Sequence, residues 1–421
     1  MSRGSLFTAA LAVAPALLVC AGLTSAETIA IVGGKVYPVS GAPIEDGTVL
    51  IVDGTIAAVG TTVAIPAEAR QIDAKGKWVT PGLVHPATPL GIVEVDAVDE
   101  SDDSRAKGDR GVAAAVRIWD ALNPESTMWA PAREDGITQV VVLPGGGFVG
   151  GQAALVETLE GSRSDMVRKA PAGIFVDLMD RGSAAVQSRS ELLLRLRELL
   201  DDARAYGLRR TAFESNQIRT LAANRLHLAA LQPVLKGTLP LIVHADRAAD
   251  ILSLLGLARE YTIRVIVLGG VEAWKVAAEL AAAKVPVLTG GQTDLPNTFD
   301  QLGATLENAA LLRKAGVTVA LTTGGENNFR VRSLRQHAGN AVANGLPWDQ
   351  ALRAVTLSPA EIFGVADKMG SLQAGREANV VIWDGDPFEL STRVVQVFVR
   401  GRQSATPSRE QLLVERYRPK P

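Results

Sequence analysis

The chain has 421 residues, 47% of them hydrophobic and 21% charged, and a formal net charge of −2. That composition excludes a disordered chain, and at roughly 100–200 residues per domain it allows two to four domains or one barrel with an attachment. A charge so near zero and few aromatics (5%), with no RNA-binding motif, give no reason to expect nucleic acid or an anionic membrane as partner.

Residues 1–26 read as an export signal. Arg3 precedes the apolar run "LFTAALAVAPALLVCAGL" (6–23), and "TSA" (24–26) offers a small-x-small cleavage site before Glu27. Pro15 and the short apolar core argue against a retained membrane anchor. Val19 stands before Cys20 where a lipoprotein signal would carry a small residue. The expected destination is the periplasm or the exterior, with no membrane attachment after cleavage. Cys20 is the single cysteine, so a chain cut after Ala26 has no disulfide, thiolate ligand or cysteine nucleophile.

Residues 27–80 read as β structure. "TIAIVGGKVYPV", "GTVLIVDGTIAAVG" and "RQIDAKGKWVTPG" are β-branched runs punctuated by turn residues, and Asp53-Gly54 is a hairpin signal. From 81 to 369 the pattern becomes alternating strands and helices. "TQVVVLP", "GIFVDL", "LPLIVHAD", "IRVIVLGG", "KVPVLTG" and "VTVALTTGG" are apolar strands. "SELLLRLRELLDDARAY", with Ser190 as N-cap, and "VEAWKVAAELAAAK" are helical. About seven or eight such units suit a (β/α)₈ barrel, with a doubly wound open sheet as the competing arrangement. The segment 346–365 is helical, with Ser358, Pro359 and Glu361 read as a capping box. Residues 370–403 return to β, so both chain ends are expected to build one small β-sandwich beside the barrel. Residues 404–421 read as a polar tail.

"VTPGLV" (79–84), "LPGGGFVGGQAALV" (143–156), "VEAWKVAAEL" (271–280) and "TLSPAEIFGVADKMGSLQAGREANVVIWDGDP" (356–387) together resemble the amidohydrolase superfamily. The resemblance is nearest to its imidazolonepropionase-like branch and runs from about 28 to 402. It implies a barrel holding one or two divalent metals on a His-x-His pair, two later histidines and a final aspartate, with a bridging lysine or acid. Such a metal, Zn²⁺ or Fe²⁺, lowers the pKa of bound water to about 7, and the aspartate then moves protons. Carried onto this chain, the His-x-His positions fall on Ala87 and Pro89, with His85 where the family has aspartate. His244 matches a ligand position. The next histidine falls on Gly269 of "GGVE", ahead of Glu272, and the final aspartate on Gly324 of "GGENN".

His244 is therefore the candidate metal ligand, for one Zn²⁺ at most. Asp246 and Glu326 are candidate catalytic helpers, and His85, Glu94, Asp96, Gly147, Gly151 and Gln152 candidate pocket residues. His85, His244, Asp246, Asp294 and Glu326 all fall at or past strand C-termini, the face where barrel sites form. His227 and His337 read as helix-face residues. "GGGFVG" (145–150) matches G-x-G-x-x-G, which binds a dinucleotide only when it opens a helix. The acidic run from Glu94 to Asp103 reads as a solvated loop. Two functions remain open. One is an exported hydrolase of carbon–nitrogen bonds with a degenerate metal site and altered activity on a small molecule. The other is a catalytically silent protein that binds a ligand, forms a homo-oligomer, or pairs with an intact relative.

Overall fold

The computed structural model describes residues 27–418 except 107, 109, 110, 180–185, 216, 218, 291–293, 297, 324–327, 405 and 406, with backbone only at 328 and 329. The signal segment and Glu326 lie outside the described residues. No helix among the described residues is long and apolar enough to cross a membrane.

Both chain ends meet in one sheet. β1 (Thr28–Val36), β2 (Ile44–Val52), β3 (Thr55–Gly60), β4 (Arg70–Asp73) and β5 (Trp78–Pro81) come from the N-terminal part. Asp53 and Gly54, with φ of 52° and 72°, turn β2 into β3 as the hairpin signal requires. β5 pairs antiparallel with β14 (Val380–Trp383), so Thr80 faces Val381, and this pairing joins the two ends. β15 (Val394–Val399) and β16 (Arg402–Gln403) continue the order β16-β15-β14-β5-β1-β2-β3, with β4 beside β1. Ile29, Ile31, Ile51, Val79, Ile382 and Phe398 fill its core.

The barrel comprises β6 (Leu83–Thr88), β7 (Ile137–Val142), β8 (Val149–Glu157), β9 (Val167–Asp177), β10 (Leu241–Ala245), β11 (Val265–Gly269), β12 (Val287–Thr289) and β13 (Val319–Leu321), hydrogen-bonded in that order. Its apolar strands are buried on both faces. Val141, Phe175, Ile242, Ile266, Leu288 and Ala320 point into the barrel. Their neighbours Val142, Val176, Val243, Val267 and Val319 pack outward against helices. This two-sided burial explains why the strands read as continuous apolar runs.

One strand departs from the parallel expectation, because β8 is antiparallel to both β7 and β9. The glycine run at 145–147 is the turn into it, with φ of 69° at Gly146 and 79° at Gly147. "GGGFVG" thus opens a strand and not a helix, which removes the dinucleotide reading.

The barrel closes without a ladder. No backbone pairing joins β6 to β13 among the described residues. Side chains cross that seam instead: Thr322 Oγ1 donates to the Ala87 carbonyl at 3.4 Å, and His85 Nε2 meets Thr323 Oγ1 at 3.0 Å.

Three local readings are corrected. The long helix runs Arg189–Leu208 and is capped by Ser188, not Ser190, because the Ser188 hydroxyl accepts from Glu191 N–H. The helix Leu357–Ile362 begins after Thr356, so Ser358 lies buried in its first turn and Glu361 pairs with Arg353. The C-terminal tail contains the helix Arg409–Tyr417, capped by Ser408, whose N–H is anchored to Glu134 at 2.9 Å.

Candidate functional site

The strand C-termini form the barrel mouth. Parallel pairing of β9 with β10 sets Asp177 beside His244. His244 Nδ1 lies 3.2 Å from Asp177 Oδ1, and the Met179 N–H steadies the same oxygen at 2.8 Å. The His244 side chain is 31% exposed, so it faces the mouth. Such a carboxylate contact fixes an imidazole's tautomer and orientation.

Asp246, two residues on, is only 2% exposed. Its Oδ2 accepts from Gln301 Nε2 at 2.9 Å and its Oδ1 from the Val271 N–H at 3.4 Å. Glu272 is equally engaged. Oε1 accepts from Lys275 Nζ (2.7 Å) and the Gly303 N–H (3.0 Å), and Oε2 from the Ala248 N–H (3.2 Å). Asn308 ties the same loops, donating to the Gly270 carbonyl and to Thr289 Oγ1. The mouth over β10–β12 is thus stitched by protein hydrogen bonds.

His85 belongs to the seam. It is fully buried, and its Nδ1 accepts from the Ala87 N–H at 3.3 Å while its Nε2 contacts the Thr323 hydroxyl. The Thr323 N–H also approaches Nε2, at 3.4 Å, so both ring nitrogens are engaged across the seam. Burial, reinforced by the nearby His337, pushes its pKa down to about 3. His337 lies on a helix as expected, yet on its buried face. Its Nδ1 has no hydrogen-bond partner among the described residues, and burial with the Arg330 charge lowers its pKa to about 4. His227 Nδ1 accepts from the Ala115 N–H at 3.1 Å.

The other candidate residues hold loops. Glu94 accepts from Asn123 Nδ2 (2.7 Å) and Ser126 Oγ (2.8 Å), fastening the loop after β6, and Asp96 is exposed on that loop. Gly147 and Gly151 have φ of 79° and 128°, and a Cβ on Gly151 would lie 2.9 Å from the Val116 carbonyl. Gln152 Nε2 donates to the Ala114 carbonyl. Asp294 is exposed after β12. The structure therefore brings His244 and Asp246 to one mouth and sets His85 in the seam. Sequence reading missed Asp177 and Gln301. An aspartate closing the apolar strand "GIFVD" is a signal that could have found the first.

The resemblance implies a divalent metal, and the described residues do not fit one. No group of three or more His, Cys, Asp and Glu among them could hold a metal. The decisive position is Gly269. A Cβ built there would sit 2.4 Å from Asp246 Oδ1 and 3.3 Å from His244 Nε2, and the backbone φ is +86°. Other side chains fill the room a histidine would need, on a backbone that disfavours any side chain. A catalytic zinc needs about three protein ligands in open geometry.

The fold defines an amidohydrolase-type barrel with a composite β domain. The structure of an amidohydrolase from Thermotoga maritima MSB8 matches with a TM-score of 0.81 at 26% identity, covering 89% of this chain and 99% of that one. The amidohydrolase family model matches residues 254–404. Imidazolonepropionase of Methylobacterium sp. (strain 4-46) is 27% identical over 84% of this chain and 92% of its own length. The amidohydrolase tasK of Hapsidospora irregularis is 21% identical over 80% of this chain, which spans only 37% of that larger protein. The chain is similar to the amidohydrolase superfamily in fold and over residues 254–404 in sequence, and distantly similar to imidazolonepropionases.

Proposed function

We propose that this chain keeps the amidohydrolase barrel as a binding scaffold for a small amide- or lactam-like molecule and has lost the metal-dependent hydrolysis of the carbon–nitrogen bond. The observation that carries the reading is Gly269, whose missing side chain leaves room that Asp246 and His244 already use. Ala87 and Pro89 at the His-x-His positions point the same way. His244, oriented by Asp177 and facing solvent, supplies a polar group at the mouth that suits such a ligand.

A second reading is a hydrolase of altered activity on carbon–nitrogen bonds. The oriented His244–Asp177 pair favours it, since an imidazole so held can move a proton at Nε2. We further propose export to the periplasm or exterior, and pairing with an intact relative or with a second copy. Cell fractionation and co-purification test these.

The deciding experiment uses residues 27–421. Bound transition metal is measured after mild chelation and again after reloading with Zn²⁺ and gel filtration, and turnover is measured on amides, lactams and dipeptides. Metal content far below one equivalent, with no turnover, is expected. One tightly retained equivalent, abolished in His244→Ala, overturns the binding-scaffold reading in favour of the hydrolase.

A further inference from the structure

The connection from β12 to the helix Asn308–Lys314 takes 18 residues (290–307), against the two to six that usually join a strand to its helix. Part of it, 298–303, runs backward across the mouth. Gln301 reaches Asp246 beyond the end of β10, Gly303 N–H reaches Glu272 beyond β11, and the Gly303 carbonyl accepts from Trp274 Nε1 at 2.9 Å. Asp300 pairs with Arg189, which also holds Asp250 at 3.0 Å. All of these contacts are polar. The apolar side chains of this strap point the other way, with Phe299 89% and Leu302 65% exposed. A segment held by polar contacts, including one ion pair, with its large apolar groups outside, releases at smaller cost than one packed into a core.

Beneath it lies the buried carboxylate of Asp246. The group covering that carboxylate is a primary carboxamide, and an acceptor-only carboxylate takes the amide N–H. Gln301 thus presents to Asp246 the group an amide ligand would present.

We infer that 298–303 is a latched strap whose Gln301 carboxamide fills the seat of a primary-amide ligand, so that ligand and latch compete for Asp246. This rests on the reading of the mouth as a binding site. A ligand bearing a CO–NH₂ group would replace the internal donor and release the strap. An ester of the same shape, lacking N–H, would leave Asp246 Oδ2 without a donor and be rejected.

The test uses the chain 27–421 and its Gln301→Glu and Gln301→Ala variants. Backbone hydrogen exchange is followed at 298–303, and binding of propanamide and of methyl propanoate is titrated by NMR. Loss of a hydrogen bond to a charged group predicts exchange at 298–303 faster by roughly ten- to a hundred-fold, with β10–β12 unchanged. Propanamide should bind Gln301→Ala more tightly than the parent by a similar factor, because the competing latch is gone. Unchanged exchange in both variants overturns the latch. Equal binding of propanamide and methyl propanoate, or no gain in Gln301→Ala, overturns the amide seat. Retained metal would instead overturn the binding-scaffold reading, and neither exchange nor titration depends on that measurement.

Discussion

His85→Ala separates a structural histidine from a catalytic relic. Removing the ring strips the Thr323 hydroxyl of its seam partner, which costs about 1–3 kcal/mol for a buried group left unpaired. The cavity left in a fully buried position adds about 2–4 kcal/mol by analogy with other large-to-small core changes. The variant should therefore be less stable by roughly 3–7 kcal/mol at neutral pH. The pH dependence gives a second, sharper readout. In the native state the pKa of His85 is about 3, against an ordinary value of 6.5. Below pH 6.5 the unfolded chain binds a proton that the native chain refuses, so the stability present above that pH is lost progressively as pH falls toward 3. Each pH unit in that window removes about 1.4 kcal/mol per histidine, hence about 2 kcal/mol between pH 6.5 and 5. His337 adds a loss of the same sign down to about pH 4. Urea unfolding of parent and variant, followed by tryptophan fluorescence at pH 7.5 and 5.0, isolates the His85 share as the difference between two differences. If His85→Ala shows the same pH dependence as the parent, the ring is not buried neutral and the seam argument is wrong.

Further outcomes are expected elsewhere. Gly269→His should fail to gain zinc by elemental analysis and should lower the melting temperature, because it forces a side chain onto φ +86° and against Asp246; tight zinc binding by this variant would refute the fit argument. Chelation of the parent should leave its thermal unfolding unchanged within about 1 °C, as follows if the binding-scaffold reading is right and no metal stabilises the fold. Glu157, fully buried between Arg168 and Arg400 where the β domain meets the barrel, is pushed up to about 7 by burial and by Glu377 against those two arginines. Its native pKa lies above the ordinary 4.5, so the stability it contributes below pH 4.5 is lost as pH rises to about 7 and is constant above. Glu157→Gln should flatten that loss, and unfolding midpoints at pH 4.5 and 8 check it.

The sequence by itself determined the architecture. Apolar runs buried on both faces announce barrel strands without any knowledge of their partners, and β-branched runs with the Asp53-Gly54 turn announce the composite sheet. Strand ends also located His244 and Asp246 at the mouth. Tertiary structure alone decided what those residues touch. The antiparallel course of β8 follows from a glycine turn whose motif also fits a helix start. His85 looks like a displaced ligand in sequence, and its place across the seam depends on Thr323, 238 positions away. The cap at Ser188 instead of Ser190 depends on which hydroxyl finds the free N–H groups. Sequence shows only that Gly269 lacks a side chain; that Asp246 and His244 fill the space it leaves is a matter of packing across strands. Local pattern fixes strands and turns because they answer to periodicity and backbone preference. A site answers to contacts between distant residues, which no local pattern encodes.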